Sequence, residues 1–176
     1  KKTILGDVSQ TVNPYSASSS EGIHRVFPQA DTVKLIRSYR STWEITTFAQ
    51  RIVSNPEIIA MERHGTPPRL AGYNDNAAEI EAIKNLISGF QNSGYQSLGV
   101  ICKTQEQAEF VYRELRERSS ASHIHLLTAD STAFRNGIMV TTVHLSKGLE
   151  FDEVIVPFVS AKNYHTEVDR HMLYIA

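Results

Sequence analysis

A chain of 176 residues is long enough for one domain, or for one domain and part of a neighbour, and a chain of that length buries roughly 70% of its unfolded surface. Its composition, 41% hydrophobic and 21% charged with a formal net charge of −1, is that of an ordinary globular protein and excludes a global basic field that would drive nucleic-acid binding. The one cysteine, Cys102, excludes an intrachain disulfide and a cysteine-built metal cluster. The sequence also lacks an apolar run of about 18 residues and a charged-then-apolar leader, so a cytoplasmic protein with no membrane partner is expected.

In chain order, residues 2–5 are a short strand candidate ending at Gly6-Asp7, and residues 11–22, rich in Ser and Asn with Pro14, read as a loop and a domain boundary. Val33, Leu35 and Ile36 suggest a strand that runs into Arg37-Ser38-Tyr39-Arg40. Ser41 or Thr42 then caps a helix on which Ile45, Phe48, Ala49, Ile52 and Val53 recur at helical spacing, until Asn55-Pro56 stops it. Residues 61–68 are irregular, residues 69–73 form another short strand candidate, and Asp75 or Asn76 caps a helix with Ile80, Ile83, Leu86 and Ile87 on one face.

Strands and helices then alternate: strand 98–102, helix 105–118, strands 124–127 and 138–143, strand 154–158, and a closing helix from about Glu167. That order predicts a doubly wound parallel sheet, whose ligands bind at the carboxyl ends of the strands. Gly6-Asp7, Tyr39-Arg40 and the segment after Val143 all fall there. Residues 141–157, TTVHLSKGLEFDEVIVP, stand out, because His144, Ser146, Lys147, Gly148, Glu150 and Asp152 sit between two β-branched apolar runs expected to be covered on both faces. A connector that only turned the chain would favour Gly, Pro, Asn and Asp. This one carries a base, a cation, a hydroxyl and two carboxylates around a single glycine, which points to function.

Four segments occur in order: LGDVSQ at 5–10, SYRS at 38–41, TVHLSKGLEFD at 142–152, and DRHMLYIA at 169–176. Together they resemble motifs III, IV, V and the start of VI of superfamily 1A helicases, the UvrD, PcrA and Rep group, with the HelD (helicase IV)-like branch looking closest. The resemblance implies a RecA-like three-layer α/β/α fold with a mainly parallel, doubly wound sheet. The chain would be a second motor domain without its own phosphate loop. Residues 1–22 would be the tail of the first RecA-like domain and a linker, and residues 23–176 the second domain.

Carried over residue by residue, the resemblance makes Gln10 the glutamine that senses the γ-phosphate and Arg40 the arginine that reaches it. Tyr39 would stack on the nucleotide base, Glu150 would lie near the ribose hydroxyl, and Gly148 would allow close backbone approach. Thr142 and His144 would lie near the nucleic-acid backbone. The implied cofactor is ATP with Mg²⁺, both held mainly by the first domain. The implied partners are single-stranded or partly duplex DNA, that first domain and, on the HelD-like reading, RNA polymerase. An arginine supplied from a second domain makes hydrolysis depend on closure and is worth roughly 10³ to 10⁵ in rate. With so little net charge, strand binding is expected to be weak and strongly salt-dependent.

The chain departs from the family pattern in two ways. No GxxxxGK[ST] phosphate loop and no acidic pair for Mg²⁺ occurs, so ATP hydrolysis by this chain alone is not expected. The fourth segment also stops at Ala176, before the family's further arginine, a role that Arg170 does not fill; a domain cut from a longer protein is the simplest account.

Residue by residue, plainer roles stay open. Tyr39 suits a half-buried core aromatic, Arg40 a surface ion-pair partner, His144 a brace for its own loop, and Lys147 a partner for Glu150 or Asp152. Cys102 is expected to be a buried structural thiol. His123 and His125 alternate along a strand without a third metal ligand, and Glu109 and Arg113, four apart, suit an ion pair on a solvated helix face.

Overall fold

The computed structural model describes Thr3, Asp7 and residues 20–118, 123–131 and 136–176. Helix α1 spans Ser20–Val26, strand β1 Arg37–Ser38, helix α2 Trp43–Ile52 and strand β2 Ile59–Ala60. There follow α3 Asn76–Gln91, β3 Ser97–Cys102, α4 Gln105–Arg118, β4 Ile124–Leu126, β5 Gly137–Thr142, α5 Val143–Ser146, β6 Glu153–Ile155 and α6 Glu167–Ile175. The chain divides into two compact units, one of residues 1–70 and 165–174, the other of residues 71–164 with 175 and 176.

The second unit is built on a four-stranded, wholly parallel sheet in the order β4-β5-β3-β6. Strand β3 lies at its centre, pairing Ser97 with Gly137 on β5 and Leu98 with Glu153 on β6, and all of its residues are buried. Its near-continuous apolar run, SLGVIC, is what a strand covered on both faces requires. Leu98, Val100 and Cys102 share one face with Ile138 and Val140 of β5 and Ile124 of β4. Ile80, Ile83, Ile87 and Phe90 of α3 and Ala108, Val111 and Leu115 of α4 close over them. Each Val, Leu, Ile or Phe side chain among them, fully buried, stabilises the unit by about 1.5–3 kcal/mol. Asp75 starts α3 as expected, its carboxylate accepting the Ala78 amide at 2.8 Å, a cap worth about 1 kcal/mol.

The opposite face of the sheet, which includes Gly99, Ile101, Met139 and Thr141, is crossed by the connection from β5 to β6. A Cβ on Gly99 would stand 2.8 Å from Phe151 Cδ2, so the Phe151 ring occupies the space a side chain on the central strand would need. The two long helices thus share one face, while the Phe151 ring lies against the other.

In the first unit, Thr42 caps α2, its hydroxyl accepting the Ile45 amide at 3.4 Å, and β1 and β2 form a two-residue parallel pair, Arg37 with Ile59 and Ser38 with Ala60. Helix α6 opens with a reciprocal capping box: Thr166 Oγ1 accepts the Asp169 amide at 3.1 Å, and Asp169 Oδ2 accepts the Thr166 amide at 3.0 Å. Asp169, in the fourth motif-like segment, is therefore occupied in starting a helix.

Several expectations need correction. Residues 33–36 form no strand; Val33 and Leu35 are 81% and 86% exposed, and the strand forms only at Arg37–Ser38, where β2 supplies a pairing partner. Residues 69–73 are not a strand either, and helix α1 begins inside the segment expected to be a loop. Among the described residues strand β6 is an edge strand, paired to β3 alone, with Val154 44% exposed; its apolar residues reflect a half-covered edge and not a strand covered on both faces. The strand expected at residues 2–5 lies outside the described residues, apart from Thr3, which has no regular structure.

Candidate functional site

The segment from Thr142 to Asp152 leaves the carboxyl end of β5, beside the carboxyl end of β3, where Cys102 is registered with Thr142. Thr142 is buried and turns its hydroxyl to the Leu145 amide at 3.4 Å, capping the single turn of α5. Ser146, also buried, donates its hydroxyl to the Val143 carbonyl at 3.1 Å and closes that turn. Lys147 and Gly148 then reverse the chain. Gly148 has φ of +91°, in the left-handed region that glycine adopts without penalty, and a Cβ there would meet nothing within 4 Å. Backbone conformation, on an open surface, demands this glycine.

His144, Lys147, Gly148 and Glu150 are exposed on this one loop, while Thr142, Ser146 and Phe151 turn inward. The place of Asp152 is settled. Its Oδ2 accepts the Gln96 amide, the Ser97 amide and the Ser97 hydroxyl, each at 2.9 Å, and its amide donates to Ser97 Oγ at 3.0 Å. Those donors hold its carboxyl below the usual carboxylate range. Asp152, though exposed, is thus the anchor of the loop, its carboxylate bonded to the start of β3.

Tyr39 and Arg40 belong to the first unit, in the turn between the carboxyl end of β1 and the cap of α2. Tyr39 is 66% exposed, so it is not a core aromatic, and Arg40 is exposed beside it. The turn is held from one side by residues 63–65. Arg63 Nη2 donates to the Arg40 carbonyl, and the Arg63 carbonyl accepts the Trp43 amide at 2.8 Å. Glu44 accepts His64 Nδ1 at 2.8 Å and the Gly65 amide at 2.9 Å; the histidine first, then the amide, bring its carboxyl down to about 2. Sequence reasoning missed this group, because the Arg63-His64-Gly65 triplet lies in a stretch that reads only as irregular loop.

Gln10 and Gly6 lie outside the described residues. Thr142, His144, Gly148 and Glu150 are brought together on one loop of the second unit, and Tyr39 and Arg40 on one turn of the first. Cys102 is buried as expected, and burial together with the Glu79 charge pushes its thiol up to about 12. Glu109 accepts Gln105 Nε2 at 3.0 Å, and Arg113 lies 5.7 Å over the Phe110 ring, so the expected ion pair gives way to these contacts. Among the described residues no helix is long and apolar enough to cross a membrane.

Residues 137–176, which contain this loop, match the family described as the UvrD-like helicase C-terminal domain. The ATP-dependent DNA helicases UvrD2 of Mycobacterium bovis and Mycobacterium tuberculosis are 26% identical to this chain over 126 residues, 64% of this chain and 18% of theirs. The chain thus spans less than a fifth of the length of those relatives. A crystal structure of the C-terminal domain of a possible DNA helicase from a Lactobacillus strain, WCFS1, is similar at a TM-score of 0.65 and 26% identity, covering 78% of this chain and 79% of that one. The motif-bearing loop, the parallel α/β sheet behind it and these likenesses agree: the chain is similar to the UvrD-like C-terminal domains of superfamily 1A helicases, through residues 137–176 above all, and has a RecA-like α/β fold.

Proposed function

We propose that the chain is the second motor domain of a cytoplasmic, ATP-dependent DNA helicase or translocase. On this reading it completes a nucleotide cleft with a first RecA-like domain and couples hydrolysis to movement on single-stranded or partly duplex DNA. The observation that carries the proposal is the division of labour along the segment from Thr142 to Asp152. Buried and bonded residues fix the loop at both ends, while His144, Gly148 and Glu150 stay exposed between them. The names of the UvrD2 relatives support the DNA and ATP parts of the reading.

The residues suit the parts of a nucleotide. Tyr39 offers an exposed ring to the base, a contact worth about 0.5–1.5 kcal/mol by analogy with aromatic pairs, which orients the base without selecting it. Arg40 offers a cation to the γ-phosphate, joined by Gln10, and Glu150 offers a carboxylate to the ribose hydroxyls. His144 and Thr142 serve the strand side, Thr142 chiefly by shaping α5. When bound, ATP supplies the phosphoryl group whose charge Arg40 would offset. On this reading Mg²⁺, like most of the nucleotide, is held by the first domain. Nothing in the likenesses is specific to the HelD-like branch or to RNA polymerase.

The test is single-stranded-DNA-stimulated ATP turnover by the full-length protein. Arg40→Ala should lower kcat by about tenfold or more with the fold unchanged, in line with the rate contributions of such arginines. His144→Ala should weaken strand binding and leave unstimulated turnover alone. A full-length protein without stimulated turnover, or near-normal turnover by Arg40→Ala, would sink the reading.

A further inference from the structure

Arg63 grips the turn that carries Arg40, and His64 and Gly65 grip the first turn of the helix that follows it. Arg63 does so twice, its side chain at the Arg40 carbonyl and its own carbonyl at the Trp43 amide, an N–H at the start of α2 that has no partner within the helix. His64 and Gly65 both bond Glu44, in the first turn of α2, and the Trp43 and His64 rings lie 5.9 Å apart. A Cβ on Gly65 would stand 2.8 Å from Thr42 Cγ2, so only glycine lets this segment approach the cap of the helix so closely. All of these residues belong to one compact unit.

We propose that Arg63 and Glu44 are positioning residues for Arg40, tying the Tyr39-Arg40 turn to the start of α2 so that the guanidinium meets the nucleotide phosphate in a single geometry. This rests on the assignment of Arg40 to the γ-phosphate given above. The tie to Arg40 is made at its backbone carbonyl, so it sets where the residue starts from without using its side chain. The Glu44 contacts, one to each of His64 and Gly65, hold the gripping segment in place. Misplacing a catalytic group by one ångström can cost about 100-fold in rate, so looser tethering of the turn has room to matter.

The experiment is a double-mutant cycle on the full-length protein, reading single-stranded-DNA-stimulated ATP turnover and the thermal midpoint together. Arg63→Met and Glu44→Ala should each lower kcat by about tenfold and move KM for ATP by less than about twofold, because the interaction lost is one made in the transition state. Arg63→Lys, which keeps a donor at similar reach, should recover most of the loss. In an Arg40→Ala background, Arg63→Met should have no further effect on kcat. Multiplying effects in that background, unchanged kcat in Arg63→Met, or no recovery by Arg63→Lys would each overturn the proposal. If Arg63→Met does not fold, Glu44→Asp, with its shorter reach, takes its place in the same cycle and is read by the same criteria. Near-normal turnover by Arg40→Ala itself would instead defeat the γ-phosphate assignment, and the positioning proposal with it.

Discussion

Ser97 and Asp152 bond each other in both directions: Ser97 Oγ donates to Asp152 Oδ2 at 2.9 Å and accepts from the Asp152 amide at 3.0 Å. The contact pins the far end of the exposed loop to the first residue of the central strand. Asp152→Ala should therefore lower the thermal midpoint at neutral pH, and Asp152→Asn, which keeps an acceptor oxygen, should lower it less. The carboxyl is held below its usual range, so its contribution is fully present above the pKa of the unfolded chain and is lost as pH falls through the folded value. Thermal scans of both proteins should converge as pH is lowered through the carboxylate range; a gap that persists in strong acid would mean that the carboxylate is not its source.

Gly99 admits the Phe151 ring, and a Cβ there would lie only 2.8 Å from Phe151 Cδ2. Gly99→Ala should destabilise the protein by about 1–3 kcal/mol through overpacking in urea unfolding, and Phe151→Leu should be less costly in that background than in the wild type. Additive losses would show that the two sites do not share this space.

Cys102 sits at the buried end of β3, its thiol pushed up to about 12 by burial first and the Glu79 charge second. At pH 8 about one thiol in ten thousand is then ionised. Labelling of the native protein by a thiol-specific disulfide reagent should proceed only as fast as the unit opens. Leu98→Ala, which empties part of the same core at a cost of about 2–5 kcal/mol, should speed labelling in proportion. Fast labelling of the native wild type would contradict the burial.

Trp43 is the single tryptophan of the chain and lies 5.9 Å from the His64 ring, which makes its emission a reporter of the Glu44 contacts. The Glu44 carboxyl is lowered from 4.5 to about 2, so its contribution to folding is complete above pH 4.5 and disappears as pH falls toward 2. Trp43 emission should change within that window, and in Glu44→Gln the acid transition should be absent. An unchanged transition in that variant would assign it to another group.

How legible each feature was depended on how local its cause was. Thr42 and Asp75 announce their helices because a cap and the apolar spacing behind it lie within one or two turns of chain. The buried strands β3 and β5 and the loop between β5 and β6 were legible for the same reason. The short pair β1 and β2 was not, because Arg37–Ser38 becomes a strand only by meeting Ile59–Ala60, and the more apolar Val33 and Leu35 mislead. Within the site, the exposed residues of the loop were marked by their chemistry. The anchoring role of Asp152 and the grip of Arg63 on the Arg40 turn depend on partners far off in sequence, and residue type alone does not reveal such partners.

The central position of β3 also bears on how this domain is made. Ser97 pairs with Gly137 and Leu98 with Glu153, so every rung of the sheet's middle strand waits for chain synthesised much later. Helices α3 and α4 can form from local contacts, but the apolar run from Leu98 to Cys102 has no edge to join until β5 has emerged. Loop closure will therefore set the refolding rate, and this run is the segment most exposed to aggregation or chaperone capture in the interval.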